Sequence, residues 1–232
     1  MTSFLVISPC YFPSIEPARM MATSAERHGL NPLLYGIGGV METHSGNIQG
    51  TDVIDLLKTR SEQYVLASDC ADVLFMAGEH EILTKFLSFN AGLVYSAEKE
   101  CWPNIASTHE ILSKIPGYFQ FLNAGLWIGE RVYAIHCLSE AIRLYRHNPP
   151  DKSCDVDGVQ AWMANVLAYG GPEFALDRNC VLFQSMNHIN GDVVIEGGRA
   201  HNRVTDTWPV ALHFNGDKTR TAYTQLFKQL YE

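Results

Sequence analysis

The chain has 232 residues, and 17 Lys+Arg against 25 Asp+Glu give it a net charge of −8. With 47% hydrophobic and 18% charged residues, it can bury the core of one large domain; disordered, collagen-like and coiled-coil classes are excluded. The acidic balance provides no overall pull toward phosphate backbones or anionic membranes.

Phe4–Ile7 is a short apolar run that reads as a buried strand. It is too short for the core of a signal peptide, and no stretch approaches the ~18 apolar residues of a membrane helix. A soluble, cytoplasmic protein is the expectation, with no membrane partner. Glu16–His28 is helical in composition and ends at Gly29, a C-cap residue. Asn31–Gly36 reads as a second strand, so the chain opens strand–helix–strand and favours a parallel α/β sheet. Gly36–Gly50 holds five glycines and reads as a loop. Val53–Arg60 is a short helix and Tyr64–Ser68 a third strand running straight into Asp69.

Glu79–Phe89 and Arg131–Arg146 read as helices, and Leu93–Ser96 and Phe121–Gly129 as strands. His147–Asp151 breaks the second of these helices, and Val159–Ala168 is another. Cys180–Gln184, Val193–Ile195 and Val210–His213 read as late strands, and Lys218–Tyr231 as a closing helix. No repeat or linker divides the chain, which favours one domain. The six cysteines, Cys10, Cys70, Cys101, Cys137, Cys154 and Cys180, show no CxxC spacing. That argues for reduced thiols rather than a zinc site or disulfide framework.

The chemistry concentrates in a few places. Asp69 and Asp72 follow a strand, where α/β sheets bind ligands, and two carboxylates can hold a hard divalent cation; Asp is equally a helix cap. His213 ends a later strand, and imidazole suits Mn²⁺ or Zn²⁺, though a packed histidine fits as well. Gly216 would let the backbone approach a phosphate and Lys218 could pair with it; Asn215-Gly216 is also a plain turn. Trp102-Pro103 is either a sugar platform or loop packing. Asn123 could contact a sugar, or belong to tight backbone packing. Asp155 and Asp157 precede a helix, as caps or as carboxylates near a sugar. Zinc-protease, nucleophile-elbow and P-loop signatures are absent.

Taken in order, ASDCADVLF, VYSAEKECWP, FLNAGLWIG, LDRNCVLFQSMN and TDTWPVALHFNG resemble the glycosyltransferase domain of the procollagen lysyl hydroxylase family, with its viral and bacterial relatives. The similarity runs from Tyr64 to Lys218. It implies a GT-A-type, Rossmann-like α/β fold with a mostly parallel sheet flanked by helices. It divides the domain into a nucleotide-binding half, 1–75, and a sugar and acceptor half, 76–232. Activity is implied too: a Mn²⁺-dependent hexosyl transfer from UDP-glucose or UDP-galactose to a hydroxyl acceptor, with retention. By the same resemblance Asp69, Asp72 and His213 hold the metal. Trp102 walls the sugar pocket, Asn123 bonds a sugar hydroxyl, and Asn215, Gly216 and Lys218 form the diphosphate loop. Asp155 and Asp157 fall at an aspartate cluster near the sugar, and Ile7 and Ser8 lie near the uridine. Ala71 stands where the family places an aromatic residue that stacks on uracil. The acceptor is left open between protein, glycan and modified DNA base. A non-catalytic nucleotide-sugar-binding module is the rival reading, and a metal-dependent hydrolase a third.

Overall fold

The structure is a computed structural model; it describes residues 3–39, 46–104, 106–146, 158–189, 191–216 and 219–232. Asp155, Asp157, Lys218 and Cys154 lie outside the described residues. A single α/β domain is built on a six-stranded sheet in the order β2-β1-β3-β6-β5-β7. These strands are β1 Phe4–Pro9, β2 Leu33–Tyr35, β3 Tyr64–Ser68, β5 Leu93–Glu98, β6 Phe121–Glu130 and β7 Ala175–Asp177. The pairs β1/β2, β1/β3 and β5/β7 are parallel, whereas β6 runs antiparallel to both β3 and β5. A second sheet, β4-β11-β8, holds β4 Val73–Phe75, β8 Phe183–Ser185 and β11 Ala211–His213. The strands β9 Val193–Glu196 and β10 Arg199–Asn202 form a hairpin.

The period-2 alternation of strands sorts their apolar residues onto two covered faces. Leu5, Ile7, Val65, Ala67, Tyr95 and Trp127 pack in one cluster with side chains from α2 Gly46–Lys58, α5 Arg131–Tyr145 and α6 Val159–Tyr169. Their neighbours Val6, Leu66, Val94 and Ile128 pack in another with α1 Arg19–Arg27 and α3 Glu79–Ser88. Both faces are buried, which is why β1 and β3 read as unbroken apolar runs rather than alternating ones. Helix α7, Arg220–Tyr231, closes a third cluster through Tyr223 and Phe227 on Leu74 and Leu212 of the second sheet. Among the described residues the remaining α-helix is α4, Ala106–Leu112, and a 3-10 turn at Glu16–Ala18 leads into α1.

Two sequence expectations are corrected. The Gly36–Gly50 loop gives way to helix at Gly46, because α2 begins there and not at Val53. The late strand set at Cys180–Gln184 begins only at Phe183, since Cys180 turns the chain with φ 51. Four elements, β4, β7, β10 and α4, have no counterpart in the sequence reading; three are strands of three or four residues, too short for a periodic pattern.

One irregularity builds the site. Between Tyr95 and Ser96 the register of β5 on β6 jumps from Trp127 to Asn123, so Ala124, Gly125 and Leu126 have no partner on β5. Such bulges re-aim the chain next to functional sites. This one turns Gly125 toward the end of β3, where the Asp69 N–H donates to the Gly125 carbonyl at 2.8 Å.

Candidate metal and sugar-nucleotide site

Asp69 and Asp72 sit in the turn that joins β3 to β4, the strand that pairs with β11 and so with His213. The pairing is locked locally, because the Phe214 N–H donates to the Asp72 carbonyl at 2.8 Å. His213 Nε2 lies 3.3 Å from Asp69 Oδ2 and 3.4 Å from Asp72 Oδ1. One ligand atom from each of the three residues lies within 4.8 Å of the others. The His213 side chain is only 4% exposed against 45% for Asp69, so the cluster is anchored inside and open on one side. Gly125 makes room for it. A Cβ there would overlap His213 Cε1 and lie 2.7 Å from Nδ1 and 2.8 Å from Asp69 Oδ2.

The tautomer of His213 follows from its neighbours. Asn123 Oδ1 accepts the Gly125 N–H at 3.0 Å, and Asn123 Nδ2 donates to Glu98 Oε1 at 3.1 Å. The amide therefore has one allowed orientation, with its oxygen 2.9 Å from His213 Nδ1. Nδ1 must carry the proton and donate, which leaves Nε2 facing two carboxylates. A lone pair so placed needs a positive charge between it and the acids. In its absence a proton fills that place. Burial pushes the imidazole down, but Asp72 and Asp69 outweigh it and raise His213 to about 10. Burial likewise works to raise Asp72, yet the adjacent His213 charge holds it below the ordinary carboxylate value. Two carboxylate oxygens and one imidazole nitrogen, oriented by an amide behind it, fit a divalent cation such as Mn²⁺.

Behind the cluster lies a buried hub that the sequence reading passed over. Glu98, 2% exposed at the end of β5, receives Asn123 and Gln160 on Oε1 at 3.1 and 3.2 Å and Asn215 on Oε2 at 2.8 Å. Burial lifts its carboxyl to about 7, against the pull of Asn123, the His213 charge, Gln160 and Asn215. Its only sequence signal is an acid ending an otherwise apolar strand, LVYSAE.

Asn123 and Asn215 thus join the cluster as its supports. Ser185 Oγ donates to Asn215 Oδ1 at 2.7 Å, so the Asn215 amide is bound on both ends. Gly216 follows with φ 88, a left-handed turn. Ser8 donates from Oγ to the Ser68 carbonyl at 2.7 Å, and the Ile7 side chain is fully buried in the sheet. Trp102 is 63% exposed, while its carbonyl accepts Gln160 Nε2 at 2.5 Å.

The sequence profile of the PLOD GT domain matches residues 18–154. The chain belongs to that family. It is 28% identical over 200 residues to an uncharacterized protein of Acanthamoeba polyphaga mimivirus, covering 82% of this chain and 41% of the relative. It is 28% identical over 184 residues to mouse procollagen-lysine,2-oxoglutarate 5-dioxygenase 2, covering 73% and 24%. A third relative is the rat multifunctional procollagen lysine hydroxylase and glycosyltransferase, 26% identical over 220 residues, covering 87% and 28%. The chain therefore spans a quarter to two fifths of the length of these relatives.

Among solved structures, a glycosyltransferase involved in glycosylation of the major capsid of PBCV-1 superposes with TM-score 0.57 at 14% identity, covering 97% of this chain and 98% of that one. The galactosyltransferase LgtC, solved with donor and acceptor sugar analogs, superposes with TM-score 0.55 at 15% identity, covering 98% and 96%. The PLOD GT chain thus has the GT-A glycosyltransferase fold. Among the described residues no helix is long and apolar enough to cross a membrane.

Proposed function

We propose that this PLOD GT domain transfers a hexose from a UDP-sugar, UDP-glucose or UDP-galactose, to a hydroxyl acceptor with retention, using Mn²⁺ or another divalent cation. The observation that carries the reading is His213 Nε2, held 3.3 Å from Asp69 Oδ2 and 3.4 Å from Asp72 Oδ1. Those three side chains would hold the cation, and Asn123 keeps the imidazole aimed at it. When bound there, a cation would supply Lewis-acid stabilisation of charge on the departing diphosphate. Glu98 holds Asn123 and Asn215 in place, so the His213 strand end and the Gly216 loop are tied to one carboxylate. Because the Asn215 amide is engaged inward, contact with the diphosphate from this loop falls to backbone N–H groups at the left-handed Gly216 turn. Lys218, Asp155 and Asp157 belong to the reading through the family resemblance, as do Ile7 and Ser8, whose buried side chains leave only backbone for the uridine. Residues 1–75 form the nucleotide half and 76–232 the sugar and acceptor half.

Ala71 favours the rival, a module that binds a nucleotide-sugar without turning it over, because no ring stands between the two acids to grip a base. The test is release of free UDP from a panel of nucleotide-sugars with Mn²⁺ or with EDTA. Mn²⁺-dependent release from one donor, lost in Asp72→Ala and His213→Ala, is the expected result. UDP binding by calorimetry with no release from any donor favours the module, and full release in both variants overturns the metal assignment.

A further inference from the structure

An open cleft of about 740 Å³ lies beside this site, lined by Lys99, Glu100, Trp102, Asn104, His109 and His188 among others. Its volume is in the range of small-ligand sites, roughly 300–1,000 Å³. One wall is tied to the metal cluster, since Gln160 Nε2 bonds both the Trp102 carbonyl and Glu98. The other wall adjoins the Gly216 loop. Asn187 Nδ2 is 3.4 Å from Glu100 Oε2, and a Cβ on Gly216 would touch Asn187 Oδ1 at 3.3 Å. The cleft therefore opens between the Trp102 loop and the turn assigned to the diphosphate.

Its chemistry has two parts. The first is flat ring surface: the exposed Trp102 indole, and the His109 ring stacked on Phe121 at 5.1 Å and 17°. The second is a carboxylate–imidazole pair, with His188 Nε2 2.8 Å from Glu100 Oε2. With Nε2 donating to the carboxylate, the neutral ring of His188 offers Nδ1 as an acceptor, and Glu100 Oε1 is a second. Neither is bonded among the described residues. Both side chains are open to solvent, 49% and 60% exposed. Two acceptors beside flat faces match a ligand that presents hydroxyl groups.

The charge balance narrows the ligand further. Lys99 is the one lysine or arginine lining the cleft among the described residues. Its ammonium has three donors, and they go to Asp192 Oδ2 at 2.5 Å, Tyr118 OH at 2.9 Å and the His188 carbonyl at 2.9 Å. No donor of Lys99 remains for an anion, and Glu100 presents a carboxylate that repels one.

We propose that this cleft seats the acceptor, and that the Glu100–His188 pair selects an uncharged, hydroxyl-bearing group over a phosphorylated one. The proposal rests on the transferase reading. It disfavours a nucleic-acid acceptor on local grounds, whereas the net charge argues only globally.

The test follows the indole N–H signal of Trp102, identified with Trp102→Phe, by NMR of the ¹⁵N-labelled full chain. Methyl glucoside and methyl galactoside are the neutral probes, and glucose 6-phosphate is the anionic one. A neutral glycoside is expected to move the signal saturably and to bind more tightly than glucose 6-phosphate. Glu100→Gln and His188→Ala should each weaken it about fivefold, the loss of one hydrogen bond, and Glu100→Gln should also narrow the gap to the phosphate. No saturable movement, equal or tighter binding of glucose 6-phosphate, or unchanged affinity in both variants overturns the proposal. UDP release without glycoside binding removes the cleft assignment and keeps the transferase. Glycoside binding without UDP release from any donor removes the transferase reading, and the name acceptor with it.

Discussion

Asn123 and His213 are joined by a single 2.9 Å contact between Oδ1 and Nδ1, and the tautomer that His213 presents to Asp69 and Asp72 depends on which way that amide points. Glu98 sets the direction. Glu98→Gln keeps the volume but places an NH₂ where a carboxylate oxygen accepted Asn123 or Asn215. One buried donor is left facing another, at a cost of about 1–3 kcal/mol. Mn²⁺ affinity by calorimetry is expected to fall about 10–100-fold, the range for losing a ligand's outer support. Unchanged affinity would mean that the Gly125 N–H alone orients Asn123.

Gly125→Ala tests the cradle. The added methyl overlaps His213 Cε1 and crowds Asp69 Oδ2, so the ligands must part. A misplacement of about 1 Å costs about 100-fold in rate, and Mn²⁺-dependent UDP release should fall by at least about that factor. The circular dichroism spectrum should be kept. Retained release would show that the cluster can shift without loss.

Cation binding should be steeply pH-dependent. The proton that occupies His213 in the metal-free chain leaves with a pKa of about 10 and must be displaced by the cation. Below that value Mn²⁺ affinity should rise about tenfold per pH unit, as read by calorimetry at several pH values. Without metal the sign for stability is opposite. The raised imidazole contributes fully below its ordinary 6.5, and its contribution is lost as pH rises through about 10. A flat affinity profile would remove His213 from the ligand set.

Asp177 offers a second pH test, away from the site. Its carboxylate is fully buried and accepts the N–H groups of Val181, Leu182 and Phe183 at 2.7–2.8 Å. Burial still outweighs these bonds and lifts it from 3.8 to about 6. The folded state therefore holds its proton more tightly, so this group's stabilisation is complete below 3.8 and is lost as pH rises through about 6. In Asp177→Asn that fall in Tm should vanish, and Tm should be lower throughout because an NH₂ meets a backbone donor. A variant with the wild-type slope would assign the pH effect elsewhere.

The strands that carry the site were legible wherever burial on two faces made them continuous apolar runs, as in β1, β3 and β6. Asp69 and Asp72 stood out because they follow such a run. His213 did so because it ends one. Their meeting was not legible from spacing, since His213 reaches Asp72 through the short antiparallel pair β4–β11, and Val73–Phe75 is too short to announce a strand. Glu98 was hidden for a different reason. Its partners Asn123, Gln160 and Asn215 lie 25, 62 and 117 residues away, and no local pattern reports a carboxylate satisfied from such distances. The Gly46 start of α2 was missed because two of its first five residues are glycine, which sequence propensity reads as loop.

The six-stranded sheet is bordered by β2 and β7, each only three residues long. A border strand is where a foreign chain can add itself, by pairing with unspent amide and carbonyl groups. Three residues give such an intruder little length to zip along, whereas the ten-residue β6 is enclosed between β3 and β5. The longest template for misassembly thus lies inside the sheet and not on its border, which favours a chain that stays dispersed when crowded.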